Sequence, residues 1–302
     1  MHEDSRLADI INQALGDRLL EDLTPMQVQD WLDGLDYSHR TKLRALQMLR
    51  NALAEAEALE LLHRNAAAPV KLPRQPRQTS GQAWTLDEAR RFLAAAQKRR
   101  LCSLYRIMLA LGLRVGGAIA FEVGDWAHDP AVGSLRLRTE CTATVEGSLA
   151  GVKTPAARRT VYAPDDLAVA LSTWLERREA EAGLPSWDEQ GWLIPASNGR
   201  LLSHNNVRRD LRAAIAEAGV PRIRLHDLRH TAANLMRQAG IGREVRMQIL
   251  GHQIRDVHDI YTHHVEPGEL VRAARALHGL FPVPGETPTG VTGVSQQKED
   301  GA

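Results

Sequence analysis

Residues 225–264 read LHDLRHTAANLMRQAGIGREVRMQILGHQIRDVHDIYTHH. Read as a helix, the first part turns Leu228, Leu235 and Met236 toward a core, while His226 and Arg229, three apart, share another face. Gly251 ends a second helix, so His252 projects from a sharp turn, a place where side chains can meet a ligand. Nine residues later comes Tyr261, one of only four tyrosines in the chain. Each feature alone has an ordinary explanation: a histidine capping a helix, a half-buried helical tyrosine. His226 and His230, four apart, also have the spacing of two metal ligands. The stretch lacks the glutamate that follows the first histidine in a zinc-binding helix, and no clear third ligand is in view.

Upstream, two further basic residues stand at structural punctuation. Arg114 directly follows Gly112 and Leu113, a setting that equally suits a surface arginine at a helix end. Lys153 precedes Thr154-Pro155 and falls between two predicted strands, where a turn lysine often serves solubility alone. Ser134-Leu135-Arg136-Leu137-Arg138 alternates polar and apolar residues like a half-buried strand, and Arg159-Thr160-Val161-Tyr162 reads as a later one. Gly147 and Gly151 are available for the turns between them.

Outside this small sheet the chain reads as helical. Thr24-Pro25-Met26-Gln27 and Thr85-Leu86-Asp87-Glu88 are capping boxes, the first with proline in the opening turn. A helix from about Ser38 lines up Leu43, Leu46, Leu49 and Leu53 on one stripe, leaving Arg40, Lys42, Arg44 and Arg50 mostly off it. Residues 66–83, AAAPVKLPRQPRQTSGQA, lose periodicity and carry three prolines and three basic residues, the marks of a stiffened polar linker. Beyond Phe281 there is little to bury, and a mobile tail is expected. The expected organisation is a helical domain over 1–65, a linker over 66–83, a mostly helical domain with a small antiparallel sheet over 84–281, and a disordered tail over 282–302. The fold class is mainly α.

Composition bounds the function. The 302 residues are 43% hydrophobic and 25% charged, as in ordinary globular proteins, and comfortably make two domains. Two cysteines, Cys102 and Cys141, in no CxxC pattern, argue against a disulfide framework or a zinc site and fit a reducing cytoplasm. The opening residues show no secretory signal, and apolar runs such as Ile107 to Leu113 are too short to span a bilayer. Net charge is only +1, but it is unevenly spread. Residues 1–33 hold eight acidic and two basic side chains, whereas 64–100 hold nine basic and two acidic. That asymmetry suits a polyanion-binding face, although solvated helix faces would explain any one cluster.

Taken together, the motifs resemble the tyrosine recombinase (phage integrase) family. An arginine after a Gly-Leu turn, a hairpin lysine, His-x-x-Arg, Leu-Gly-His and a tyrosine nine residues on are matched in order by Arg114, Lys153, His226, Arg229, His252 and Tyr261. HDLRHTAAN, QAGIGREVRMQILGH and KTPAARRTVYAP look like that family, and the likeness covers residues 20–277. It implies a site-specific DNA recombinase that cuts and rejoins DNA through a 3′-phosphotyrosine, with no metal, ATP or other cofactor. Tyr261 would be the nucleophile, His226 the general base and Lys153 the general acid. Arg114, Arg229 and His252 would neutralise the phosphate. The helical domain would be a SAM-like core-binding domain that clamps duplex DNA with the catalytic domain. Arg40, Lys42, Arg44, Lys71, Arg74, Arg77, Arg158 and Arg159 are its expected DNA contacts.

The likeness also implies double-stranded DNA and a tetramer of this chain as partners, accessory DNA-bending proteins, no membrane, and a cytoplasmic, nucleoid-associated location. Two departures stand out. Where the family has an acidic residue three positions after the first arginine, this chain has Gly117, which should loosen Arg114 and reduce activity. Met1 falls close to or inside the first helix of the core-binding domain, so an arm-binding domain is expected to be missing. Alternative readings are a degenerate relative that binds DNA without cleaving it, and a nicking-closing enzyme like type IB topoisomerases.

Overall fold

The computed structural model describes residues 2–73, 81–144, 147–151, 158–183, 187, 190–252 and 265–282. The chain divides into two compact units, Met1–Thr79 and Ser80–Ala302.

The first unit is helical, with α1 (His2–Leu15), α2 (Pro25–Gly34) and α3 (His39–Ala58). The capping box at Thr24 forms as expected: Thr24 Oγ1 accepts from the Gln27 N–H, and the Gln27 side chain accepts from the Thr24 N–H. Leu7, Ile10, Val28, Trp31, Leu32, Ala45, Leu46, Leu49 and Leu53 form the core. Leu43 departs from the expected stripe and is 47% exposed. The inward face of α3 is instead set by Ala45 and Leu46 with Leu49 and Leu53.

The connecting segment also starts later than its polarity suggests. Ala66, Ala67 and Val70 are buried in the first unit's core. Arg50, from α3, donates through Nε to the Ala67 carbonyl at 3.0 Å and through Nη2 to that of Val70. Asn65 completes the fold-back by bonding the Arg50 carbonyl and the Ala67 N–H. A linker beginning at 66 is therefore corrected: residues 66–70 pack as part of the helical unit, because one guanidinium satisfies the carbonyls that burial would otherwise strand.

The second unit opens with α4 (Leu86–Ala95), capped by Thr85 and Glu88 in the expected reciprocal box. Its centre is α5 (Cys102–Leu111), every residue of which is buried. A helix buried on all sides belongs inside a core, and here it packs against later helices on several sides. The short α6 (Val115–Ile119) leads to β1 (Trp126–Asp129) and β2 (Ser134–Thr139). Next come β3 (Cys141–Ala143), β4 (Leu149–Gly151) and β5 (Arg159–Tyr162). β2 lies between β1 and β5, antiparallel to both, and buries Leu135, Leu137 and Thr139 on one face as the period-two pattern requires. β3 and β4 form a separate antiparallel pair.

Helices α7 (Asp165–Ala182), α8 (His204–Ala218), α9 (Asp227–Gln238), α10 (Arg243–Leu250) and α11 (Pro267–Leu277) complete the unit. α9 packs on α5, while α10 and α11 pack on β5. After α11 the chain is held by its own unit. Arg90 donates to the carbonyls of Gly279 and Leu280, and Arg106 to that of Phe281. Of the expected tail over 282–302, residues 283–302 lie outside the described residues. No helix among them is long and apolar enough to cross a membrane.

Arg50→Ala should strip the carbonyls of Ala67 and Val70 of a charged donor, at about 1–3 kcal/mol. Limited trypsinolysis should then cut after Arg64 and Lys71 several-fold faster than in the wild type. An Arg40→Ala control, altering an exposed side chain, should leave the pattern unchanged.

Candidate active site

The site is built where the ends of four elements come together. α5 stops at Gly112, whose backbone is left-handed (φ +61°). A Cβ there would fall 2.4 Å from Leu250 Cδ2 and 3.4 Å from Ala232 Cβ, so glycine is required both by dihedral and by space. The turn aims the Gly112 carbonyl at α9, where Arg229 Nη1 donates to it at 2.8 Å. Arg114 follows as the N-cap of α6, with extended backbone and an exposed side chain.

The neighbouring glycines of α6 behave differently from each other. A Cβ on Gly116 would meet the Ala143 carbonyl and Thr142 Oγ1, each at 2.6 Å, so this glycine lets α6 approach β3. A Cβ on Gly117 would meet nothing within 4 Å.

His226 caps α9 with helical backbone dihedrals, and Asp227 anchors that first turn. Asp227 is 2% exposed and accepts from Arg224 through both the backbone N–H and the guanidinium. Leu228, Leu235 and Met236 are buried, as their spacing predicts. Arg229 is only 3% exposed, and its Nη2 has no hydrogen-bond partner among the described residues. The rings of His226 and His230 meet edge to face, with centroids 5.0 Å apart. At the far side, α10 ends in left-handed Gly251 (φ +63°). The His252 N–H returns to the Met247 carbonyl at 3.0 Å, so the expected sharp turn presents this imidazole.

A third guanidinium joins them. Arg159, at the start of β5, donates from Nε to the Ile249 carbonyl at 2.8 Å. The charges of these groups act on one another. Burial first, then repulsion from Arg114 and Arg159, hold Arg229 below the usual guanidinium range. Arg159 is lowered by burial and then by Arg114. Burial, His230, Arg229 and Arg114 depress His226, opposed by Asp227. Burial, Arg229, Arg114, Arg159 and His226 depress His252. At neutral pH the arginines stay charged and both imidazoles are neutral. The pocket therefore concentrates positive charge beside two proton-accepting rings. Chemically, it can bind a tetrahedral monoanion such as a phosphodiester through forked donors and hold a neutral base next to it.

Four of the six expected catalytic side chains, Arg114, His226, Arg229 and His252, are thus brought together. Lys153 and Tyr261 lie outside the described residues, as do Arg74 and Arg77. Of the expected DNA contacts, Arg40, Lys71 and Arg158 are exposed. Lys42 bonds the Asp33 carbonyl, and Arg44 lies 3.8 Å from Asp4. Arg159, expected among the DNA contacts, lies in the central cluster. The strand signal marks its position, but its contact with Ile249, 90 residues away, has no local signature. Among the described residues no group of three or more His, Cys, Asp or Glu could hold a metal ion.

Residues 83–266 match the profile of the phage integrase family, and the chain belongs to that family. An integrase of Mycobacterium phage D29 is 27% identical over 245 residues, covering 80% of this chain and 63% of that protein. An integrase of Saccharopolyspora erythraea is 26% identical, covering 72% and 62%. The chain thus spans somewhat under two thirds of the length of these relatives. Among solved structures, the Tn1549 transposon integrase in complex with transposon right end DNA matches with TM-score 0.68 at 18% identity, covering 91% of each chain. A lambda integrase dimer bound to a core site matches with TM-score 0.59 at 18% identity, covering 88% and 90%. At such identities the likeness establishes a shared fold, in agreement with the mainly helical class and small antiparallel sheets.

Two measurements probe this geometry. In the DNA-free protein, the imidazoles of His226 and His252 should titrate below 6.5 by NMR, and saturating inorganic phosphate should raise both. Phosphate-independent titration would show that the cations do not face the rings. Gly112→Ala should lower the urea midpoint by an amount equal to about 2 kcal/mol, from the left-handed backbone and the Leu250 overlap together.

Proposed function

We propose that this chain is a site-specific DNA recombinase that cleaves and rejoins duplex DNA through a 3′-phosphotyrosine at Tyr261. The observation that carries the reading is the buried Nη2 of Arg229, without a hydrogen-bond partner among the described residues, inside a cluster of three guanidiniums and two imidazoles. A buried donor without a partner carries a desolvation cost that an incoming anion would remove. A DNA phosphodiester would be that anion, and family membership supports the reaction type.

In this reading Arg114 and Arg229 bind the non-bridging oxygens and neutralise the charge that grows as phosphorus becomes pentacoordinate. His252 donates a further hydrogen bond. The Tyr261 oxygen attacks phosphorus while His226 takes the phenolic proton, and Lys153 gives a proton to the departing 5′-oxygen. One P–O bond forms and one breaks, so the phosphotyrosine keeps the ester and religation needs neither ATP nor metal. Double-stranded DNA is the partner, with phosphate contacts from exposed basic residues including Arg40 and Arg158. Recombination would need four copies on two duplexes, the arrangement named for a lambda integrase tetramer bound to a Holliday junction.

One observation favours a second reading, a DNA binder with weak or absent cleavage. The Arg114 side chain has no hydrogen bond or ion pair among the described residues, and Gly117 stands where the family pattern has an acid. A nicked suicide duplex separates the two. An active protein forms a covalent adduct resistant to denaturation, which Tyr261→Phe abolishes and Arg229→Ala slows about 10²–10³-fold. Reversible binding with no adduct from the wild type would establish the second reading. Gly117→Glu should increase the adduct rate, because the site above Gly117 is open to a side chain that could steady Arg114. No change, or a slower rate, would leave Arg114 held by other means.

A further inference from the structure

We infer that Arg159 is a positioning residue for His252, tying the sheet to the turn that carries this imidazole, and that it is needed for phosphate transfer rather than for outlying DNA contact. The inference rests on the recombinase reading of the same site, but its structural part is independent of cleavage.

The tie is built at both ends. On the sheet side, Thr139 lies opposite Arg159 in the β2–β5 register and is 5% exposed. Its hydroxyl donates to the Arg159 carbonyl at 3.0 Å and accepts from the Arg159 N–H at 3.2 Å. A single buried hydroxyl thus fixes both backbone polar groups of the residue, beyond the strand ladder itself. On the helix side, Arg159 Nε donates to the Ile249 carbonyl at 2.8 Å. Ile249 lies in the last turn of α10, where carbonyls lack intrahelical partners. A cation is favoured at that end of the helix dipole. Two residues on, Gly251 reverses the chain and His252 emerges with its N–H held by Met247. The path from Thr139 to His252 is therefore a series of hydrogen bonds and a tight turn, each a short-range constraint.

The guanidinium also shares the pocket's field. It is one of the charges acting on His252 and on Arg229. An exposed phosphate contact elsewhere on the surface would do neither. Lysine at 159 would keep the positive charge but lacks the planar fork, so it separates geometry from electrostatics.

The test uses the full chain with Arg159→Gln and Arg159→Lys, each alone and combined with His252→Ala. Histidine NMR of the DNA-free proteins comes first. In Arg159→Gln the His252 imidazole should titrate closer to its ordinary value of 6.5, and its ring resonances should shift or broaden more than those of His230. Arg159→Lys should keep the low titration point. On a nicked suicide duplex, Arg159→Gln should slow adduct formation about tenfold or more with DNA affinity changed less than about twofold, and Arg159→Lys should recover part of the rate. In the His252→Ala background the further loss from Arg159→Gln should shrink to about threefold or less. Additive losses, or an unmoved His252 titration, would overturn the inference. A circular dichroism melt within a few degrees of wild type guards against simple unfolding; if Arg159→Gln melts far lower, the rate and titration of Arg159→Lys decide instead. If the wild type makes no adduct, the recombinase reading fails while the His252 titration still judges the tie.

Discussion

A guanidinium almost wholly withdrawn from water is the constraint around which the second unit's site is organised. Desolvating a charge of this size costs several kcal/mol unless partners are supplied. For Arg229 the fold supplies one carbonyl, from Gly112, and leaves Nη2 without a partner among the described residues. No described acid is placed beside it to cancel the charge; the groups acting on it most strongly after burial are two more arginines. The result is a locally frustrated arrangement maintained by the packing of α5 and α9 around it. Such an arrangement is costly to fold and favourable for binding an anion.

Burial and the same charges together set the state of the imidazoles. A histidine alone in water is partly protonated near neutral pH, and a nearby carboxylate would keep it so. Among the described residues the carboxylate acting on His226 is that of Asp227, already engaged by Arg224, and burial, His230 and the arginines together prevail over it. A ring proposed to accept a proton is thereby kept ready to do so. Binding of a phosphate would partly cancel the field, so an anion in the site would make protonation of these rings easier.

Much of this is readable from local chemistry. The capping boxes at Thr24 and Thr85, the alternation in β2 and the glycine stop before His252 are rules satisfied within a few residues of chain, and all of them hold. What fails to show depends on contacts across the fold. Leu43 matches a helical stripe by spacing alone, yet the neighbours of α3 cover the adjacent face. Ala66, Ala67 and Val70 are buried because Arg50 reaches their backbone, and polarity of the flanking sequence hides that. Arg159 reads as one basic residue among several until β5 and the end of α10 are brought together. Lys153 and Tyr261 remain carried by motif and spacing.

The wholly buried α5 has a consequence for how such a protein tolerates change. The residue that caps it, Gly112, is also the acceptor that holds Arg229, so the central helix of the core and the reactive pocket meet at one atom, the Gly112 oxygen. A methylene gained or lost along Leu104, Ile107, Met108 or Leu111 would be accommodated by small shifts of this rod, since close-packed interiors transmit strain. Shifts harmless to folding would still be felt by a donor–acceptor pair set at 2.8 Å. In a random mutagenesis screen, drift in this helix would disturb the Arg229 pocket before it eroded solubility, giving well-folded variants with an impaired anion site.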